Sequence, residues 1–312
     1  DGSGGSNGGG FAYYRGAPGA FLPSDAPMET DFFDVVFTKW TQGGNGGGFA
    51  YYRGEPGADL PSMGTMFTIA DTTADNDPVY VRFSDLTIAN GSGSETAGAI
   101  QVNSPDTSET TTIELDNIVA YNNVNMQESG GFINNNEIVT PGLLFFNVNN
   151  SVFRNNISTD ADGGVFALSN VHATITNSLF EDNYADDDGG VFYGEDFRSL
   201  AIENCNFIGN YADDEGGAIL INGAYNGLYI ENSSFLNNTS GYSGGAITLW
   251  NEVSDFVISE SEFIGNSTSD YGGAIFVEDE SDVYFYNTKF VENSSGDYGG
   301  AVHFENYADD FA

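Results

Sequence analysis

Phe153, Phe180, Phe207, Phe235, Phe263 and Phe290 recur every 27 or 28 residues, and three positions after each stands an asparagine: Asn156, Asn183, Asn210, Asn238, Asn266 and Asn293. A glycine pair closes each copy, at Gly163-Gly164, Gly189-Gly190, Gly216-Gly217, Gly244-Gly245, Gly272-Gly273 and Gly299-Gly300. Two earlier copies are degenerate, with Ile88 and Ala120 in the phenylalanine column and Ala97-Gly98 and Gly130-Gly131 as the pair. Eight copies, the last six of them at one period, leave few options. The chain must grow unit by unit, each unit packing on the next, as one elongated domain.

Within each unit the apolar residues mark strands. Seven and five positions before the phenylalanine column stand pairs such as Val81 and Phe83, Leu200 and Ile202, or Phe256 and Ile258. Apolar residues two apart, with mixed or polar residues between them, describe a strand with one buried face. A second strand follows each glycine pair, with Ile219 and Ile221, Ile247 and Leu249, or Ile275 and Val277 turned inward. Two or three short strands per unit, without helical periodicity or hairpin turns, fit one coil of a parallel β-helix. There each strand pairs with its counterpart roughly 4.8 Å away, and like residues stack in ladders. A polar corner (Asn177, Asn204, Asn232, Asn287 and equivalents) precedes a small-residue column that includes Cys205, which is expected to be a buried structural thiol.

Composition excludes several partners. Seven Lys+Arg against 46 Asp+Glu give a formal net charge of -39, which argues against nucleic acid, anionic membranes and polyanionic substrates. No run of apolar residues is long enough to span a membrane as a helix. A single cysteine forms no internal disulfide, so the compartment stays open.

The tetrapeptides FEDN, FIGN, FLNN and FVEN, together with GGAI at Gly216 to Ile219, Gly244 to Ile247 and Gly272 to Ile275, resemble the FxxN and GGA[I/L/V] repeats of the chlamydial polymorphic outer membrane proteins. The resemblance covers about Val79 to Phe304. It implies a right-handed parallel β-helix, exported to a cell surface, that works as an adhesin or structural element and not as an enzyme. The chain shows no C-terminal membrane barrel, so autotransport is not expected from it.

Residues 1–78 differ from the rest. NGGGFAYYRGAPGAFLPS and NGGGFAYYRGEPGADLPS, beginning at Asn7 and Asn45, are two copies of a Gly- and Tyr-rich unit, each followed by an apolar run. One reading makes this segment a cap over the open end of a solenoid spanning 79–312. The other makes Tyr13, Tyr14, Arg15, Tyr51, Tyr52 and Arg53 docking elements for a neighbouring subunit, because Tyr and Arg are common interface anchors. No cap is visible at the far end, so copies of the chain are expected to meet head to tail or laterally, building a fibre or surface layer.

Three sets of residues are candidates for chemistry. Asp186, Asp187 and Asp188 lie one coil from Asp213, Asp214 and Glu215, with Asp160 and Asp162 one coil before them. A hard cation such as Ca2+ would relieve their repulsion, although the chain requires no cofactor and the turns lack the spacing of a calcium loop. Tyr193, Leu220, Thr248, Phe276 and His303 are expected to face outward as an apolar contact stripe. Asn90, Asn149 and Asn237 are the better of eight Asn-Xaa-Ser/Thr acceptors for glycosylation, since others fall in buried ladders. The alternative function is a glycan-binding or polysaccharide-modifying β-helix. Its means are poor: His172 and His303 stand five coils apart, and Arg82, Arg154, Arg198 and Lys289 are the cations of the helix proper. Host or matrix glycans remain candidate partners.

Overall fold

A computed structural model describes residues 34–37, 65–70, 79–93, 97–103, 110–135, 143–224, 227–253, 255–278 and 281–305. Every regular element among them is a strand, and the chain winds as a parallel β-helix with three faces. The long face is a 15-stranded sheet, the short face an 8-stranded sheet and the third face a 9-stranded sheet. One coil shows the plan. Ser199–Glu203 and Asn206–Ile208 run along the long face, Tyr211–Ala212 crosses the short face, and Ile219–Ala224 returns along the third.

The sequence columns become ladders because the register between coils is in step. Phe180 pairs with Phe207, Phe207 with Phe235 and Phe235 with Phe263. On the third face Ile219 pairs with Ile247 and Ile247 with Ile275. Between the two strands of the long face the chain turns at a left-handed residue, Asn204 at φ 54° and Asn232 at φ 47°. Asparagine tolerates this conformation better than most residues, and its short amide also bonds along the stack: Asn232 Nδ2 donates to Asn204 Oδ1 at 2.5 Å. In the first two coils the strands Val79–Ala89 and Thr110–Tyr121 run through this corner unbroken.

The core is one continuous cluster filled from the long face and from the third face with the turn that leads into it. Its spine is the phenylalanine column. From Phe153 to Phe290 successive rings stack with centroids 5.1, 4.8, 4.6, 4.7 and 5.1 Å apart and planes within 12°, in the range where aromatic pairs add to the burial term. Phe207→Ala removes two of these stacks and opens a cavity that neighbouring coils cannot collapse into. The expected cost is about 3–4 kcal/mol, measured as a fall in the urea midpoint of the full chain.

Beside that spine runs a second ladder. Asn210 donates from Nδ2 to Asn238 Oδ1 at 2.9 Å and to the Phe180 carbonyl at 3.1 Å. Its own Oδ1 accepts from the Asn183 backbone N–H and Nδ2 at 3.1 and 3.0 Å. The pattern repeats at Asn156, Asn183, Asn238 and Asn266. Each amide is buried with its acceptor and both donors occupied, which a side chain carrying only acceptors could not match. Cys205 sits in the neighbouring serine column, where its thiol faces the carbonyls of Ile175 and Glu203 and burial pushes its pKa up to about 11. That is the inert, structural thiol expected from the sequence.

The boundary expected at Val79 moves. Phe67–Ala70 already pairs in parallel with Ile100–Asn103 on the third face, with Phe67 opposite Ile100 and Ile69 opposite Val102. The alternating apolar pair in FTIA has the same two-residue spacing as the later third-face strands, so it joins their sheet. Asp34–Phe37 pairs antiparallel with the first strand of the long face, Val36 opposite Arg82. Tyr13, Tyr14, Arg15, Tyr51, Tyr52 and Arg53 lie outside the described residues.

Candidate functional site

The turn between the short and third faces carries the acidic residues. Its backbone is fixed by the glycine pair. Gly216 takes φ 62°, the left-handed region, and a Cβ on Gly217 would stand 2.3 Å from the Gly245 carbonyl oxygen and 2.5 Å from that of Thr239. The coils approach so closely here that hydrogen is the only side chain that fits.

The residue just before each pair forms a column: Asp162, Asp188, Glu215, Ser243, Tyr271 and Tyr298. It folds back over the outer surface of the third face, onto the residue five positions later. The Thr248 hydroxyl donates to the Ser243 carbonyl at 3.0 Å. The Tyr271 ring lies over Phe276 at 6.2 Å and Tyr298 over His303 at 6.1 Å. This corrects the outward stripe. Leu220 and Thr248 are fully buried and Phe276 is 4% exposed, so none of them offers a surface to another molecule. Strict alternation would turn them to solvent, but the overlying turn covers them, with polar residues in the earlier coils and with the Tyr271 and Tyr298 rings in the last two. Tyr193 is half-buried in the same column, and burial, aided by Asp162 and Glu195, pushes its hydroxyl up to about 12.

The two acidic triplets split in the same way in successive coils, because neighbouring residues of an extended turn point to different sides. Asp187 and Asp214 are exposed. Asp186 and Asp213 flank the Tyr184 hydroxyl, at 2.7 and 3.0 Å, and the rings of Tyr184 and Tyr211 stack at 5.7 Å. The bond from Tyr184 holds Asp186 below the usual carboxylate range. Burial, reinforced by the two carboxylates, raises the Tyr184 phenol.

Asp188 and Glu215 turn inward and join Asp162 in a stack that spans three coils. The Asp188 backbone N–H donates to Asp162 Oδ1 at 3.2 Å, and the Glu215 N–H to Asp188 Oδ1 at 3.0 Å. The Trp250 indole N–H donates to Glu215 Oε2 at 3.0 Å. Burial raises Asp162 to about 6, although the N–H of Asp188 pulls it back. Burial and then the neighbouring Asp162 raise Asp188 to about 8. Glu215 rises to about 7, again mainly through burial. Among the described residues no group of three carboxylate, imidazole or thiol side chains is placed to hold a metal ion. Sequence reasoning saw six like carboxylates in two clusters. Asp162, one coil before them in the sequence, is the third member of the column, as its position just before a glycine pair indicates.

Basic groups are engaged across coils. Arg82 meets Asp116 at 2.7 Å, Arg154 meets Glu181 at 2.8 Å and Lys289 meets Glu262 at 3.5 Å. All three are exposed pairs, screened by solvent, and add little to stability. His172 stacks on Phe145 at 5.2 Å with Nδ1 2.8 Å from the Ser199 hydroxyl. His303 lies among Tyr271, Phe276 and Tyr298.

Of the glycan acceptors, Asn90, Asn149 and Asn237 are exposed, whereas Asn156, Asn238 and Asn266 are fully buried in the amide ladder. Asn149 is engaged on the surface: its Nδ2 donates to Asp116 Oδ1 at 2.9 Å, and its Oδ1 accepts from Thr176 and Asn177.

A model of the Chlamydia polymorphic membrane protein (Chlamydia_PMP) repeat matches the chain at residues 204–222, 232–248 and 260–278. Each matched segment starts at the corner of the long face and runs through the phenylalanine, the ladder asparagine and the glycine pair to the third face. No curated protein and no solved structure matches the chain.

Proposed function

The chain is a parallel β-solenoid carrying Chlamydia polymorphic membrane protein-type repeats, and from that premise we propose that it acts at a cell surface as a structural or adhesive element and not as an enzyme. One observation carries this reading. The residues that define the repeat are consumed in building the coil: the phenylalanines and asparagines of the FxxN motif are buried in ladders, and the glycines let the turns touch. The recurring pattern therefore maintains a straight, acidic rod. What faces solvent varies from coil to coil, as an elongated display surface requires. The buried carboxyls, whose oxygens accept N–H groups from the next coil or from Trp250, fit a structural role better than a catalytic one.

Copies of the chain are proposed to associate, with their exposed strand edges as the contact. Electron microscopy of the full chain tests the association, and retention of protein-coated beads on cells or on neutral glycan arrays tests adhesion. Filaments or bead retention support the reading. Isolated rods whose beads bind no more than beads coated with an unrelated acidic protein would remove it. Turnover of a neutral polysaccharide, abolished by one carboxylate substitution, would establish the enzymatic alternative.

A further inference from the structure

We propose that the column Asp162, Asp188 and Glu215 makes the middle coils of the solenoid respond to pH, holding three turns together when un-ionised and loosening them when it ionises. Asp188 is buried at the centre of the column, and Asp162 and Glu215 are partly buried on either side of it. The three side chains occupy one position in three successive turns, and each of the two aspartates is tied to the next coil by a single N–H. Beside them the backbone bonds that hold turn to turn run in line: Gly163 N–H to the Asp188 carbonyl at 2.8 Å, and Gly189 N–H to that of Glu215 at 2.9 Å. The bonds that would give way therefore lie next to the charges that would part them. The column ends in uncharged residues, with the Ser129 hydroxyl on Asp162 at one side and Ser243 one coil beyond Glu215 at the other.

The charged groups acting most strongly on it are all acidic. Asp187 and Glu195 face Asp162. Asp162, Glu215 and Asp214 face Asp188, and Glu278, Asp214 and Asp270 face Glu215. From the third face the Tyr193 phenol, un-ionised at neutral pH, and the Trp250 indole complete the surroundings. Nothing in that set compensates a second negative charge. The direction follows from linkage. All three carboxyls titrate higher in the folded chain than unfolded, so their contribution is fully present below the ordinary carboxylate range. It is lost as pH rises through about 6 to about 8. The device thus closes on acidification and opens on the alkaline side of neutral.

The test is hydrogen exchange on the full chain, in chelator so that stray cations do not screen the column. Protection of the amides around Gly163, Gly189 and Gly216 is compared at pH 5.5 and 8.5, after correction for intrinsic exchange. In the natural chain protection is expected to fall at least about tenfold, the equivalent of one pKa unit. Asp188→Asn keeps an acceptor for the Glu215 N–H but cannot ionise, so the fall should shrink or vanish. Glu231→Gln, which removes an exposed charge on the long face, should behave like the natural chain. Asp162→Asn repeats the comparison from the other side of the pair, and the infrared band of an un-ionised carboxyl at pH 7 reports the column without any substitution. Equal protection at both pH values, an equal effect of Glu231→Gln and Asp188→Asn, or absence of that band in the natural chain would each overturn the proposal.

Discussion

Asn210→Asp destabilises the solenoid by about 4 kcal/mol or more at pH 7, and by clearly less at pH 4.5. The substitution keeps shape and acceptor oxygens but removes both donors, so the Asn238 Oδ1 and the Phe180 carbonyl lose their bonds. It also sets a carboxylate at a position 1% exposed. The group relieves this by taking up a proton, so its folded pKa lies above the ordinary value of about 3.9. Between those two values the folded chain holds the extra proton, and stability lost at neutral pH returns as pH falls. Urea unfolding of natural and substituted chains at both pH values gives the difference directly. Equal penalties at pH 7 and 4.5 would mean that the carboxyl's charge contributes nothing to the cost, and a penalty under about 1 kcal/mol at both would mean that the amide's donors do not carry the ladder. The prediction also accounts for a feature of the sequence. A chain with 46 Asp+Glu places none in the FxxN asparagine column from Asn156 to Asn293, where only an amide both accepts and donates.

Gly217→Ala has the larger effect. The added methyl meets backbone on every side, at the Gly245 carbonyl oxygen, the Thr239 carbonyl oxygen and the Thr239 carbonyl carbon, all within 2.6 Å. No side-chain rotation relieves it, so two coils must separate and the bonds between them break. A loss above about 5 kcal/mol is expected, seen as failure to fold or as two unfolding transitions where the natural chain shows one. Gly209→Asn is the control. Gly209 has φ 63°, but the nearest group to its added Cβ is the mobile carboxyl end of Asp182. The residues at its place in neighbouring coils, Asp182 and Asn237, already adopt φ 54°. Its effect should stay within about 0.5 kcal/mol. If both glycine substitutions prove equally mild, close approach of the coils is not what selects the pair.

These contrasts show which parts of the molecule were legible beforehand. Ladders such as Phe207–Phe235–Phe263 were readable because in-register stacking forces the same residue into the same place every 27 or 28 positions. The covered stripe was not. Leu220 and Phe276 alternate correctly with inward neighbours, and whether an outer face is wet depends on how a glycine turn bends back, which alternation does not encode. The acidic triplets show the same limit. Asp186, Asp187 and Asp188 are adjacent in sequence, yet one faces a tyrosine, one faces water and one is buried. Burial, together with the neighbouring Asp162, separates an ordinary carboxylate from one raised to about 8. Phe67–Ala70 could have been assigned to the solenoid from its two-residue apolar spacing, but the glycine pair and FxxN motif that mark a coil do not flank it.

Because Phe207, Phe235 and Phe263 occupy the same place in successive coils, with rings parallel within 4°, the spine of this tower is the same from one of these floors to the next. A gene that gains or loses one whole unit adds or removes a floor without disturbing those above and below. The reach of such a protein from its point of attachment is thus open to adjustment by duplication alone, while its outward-facing residues stay free to diversify independently.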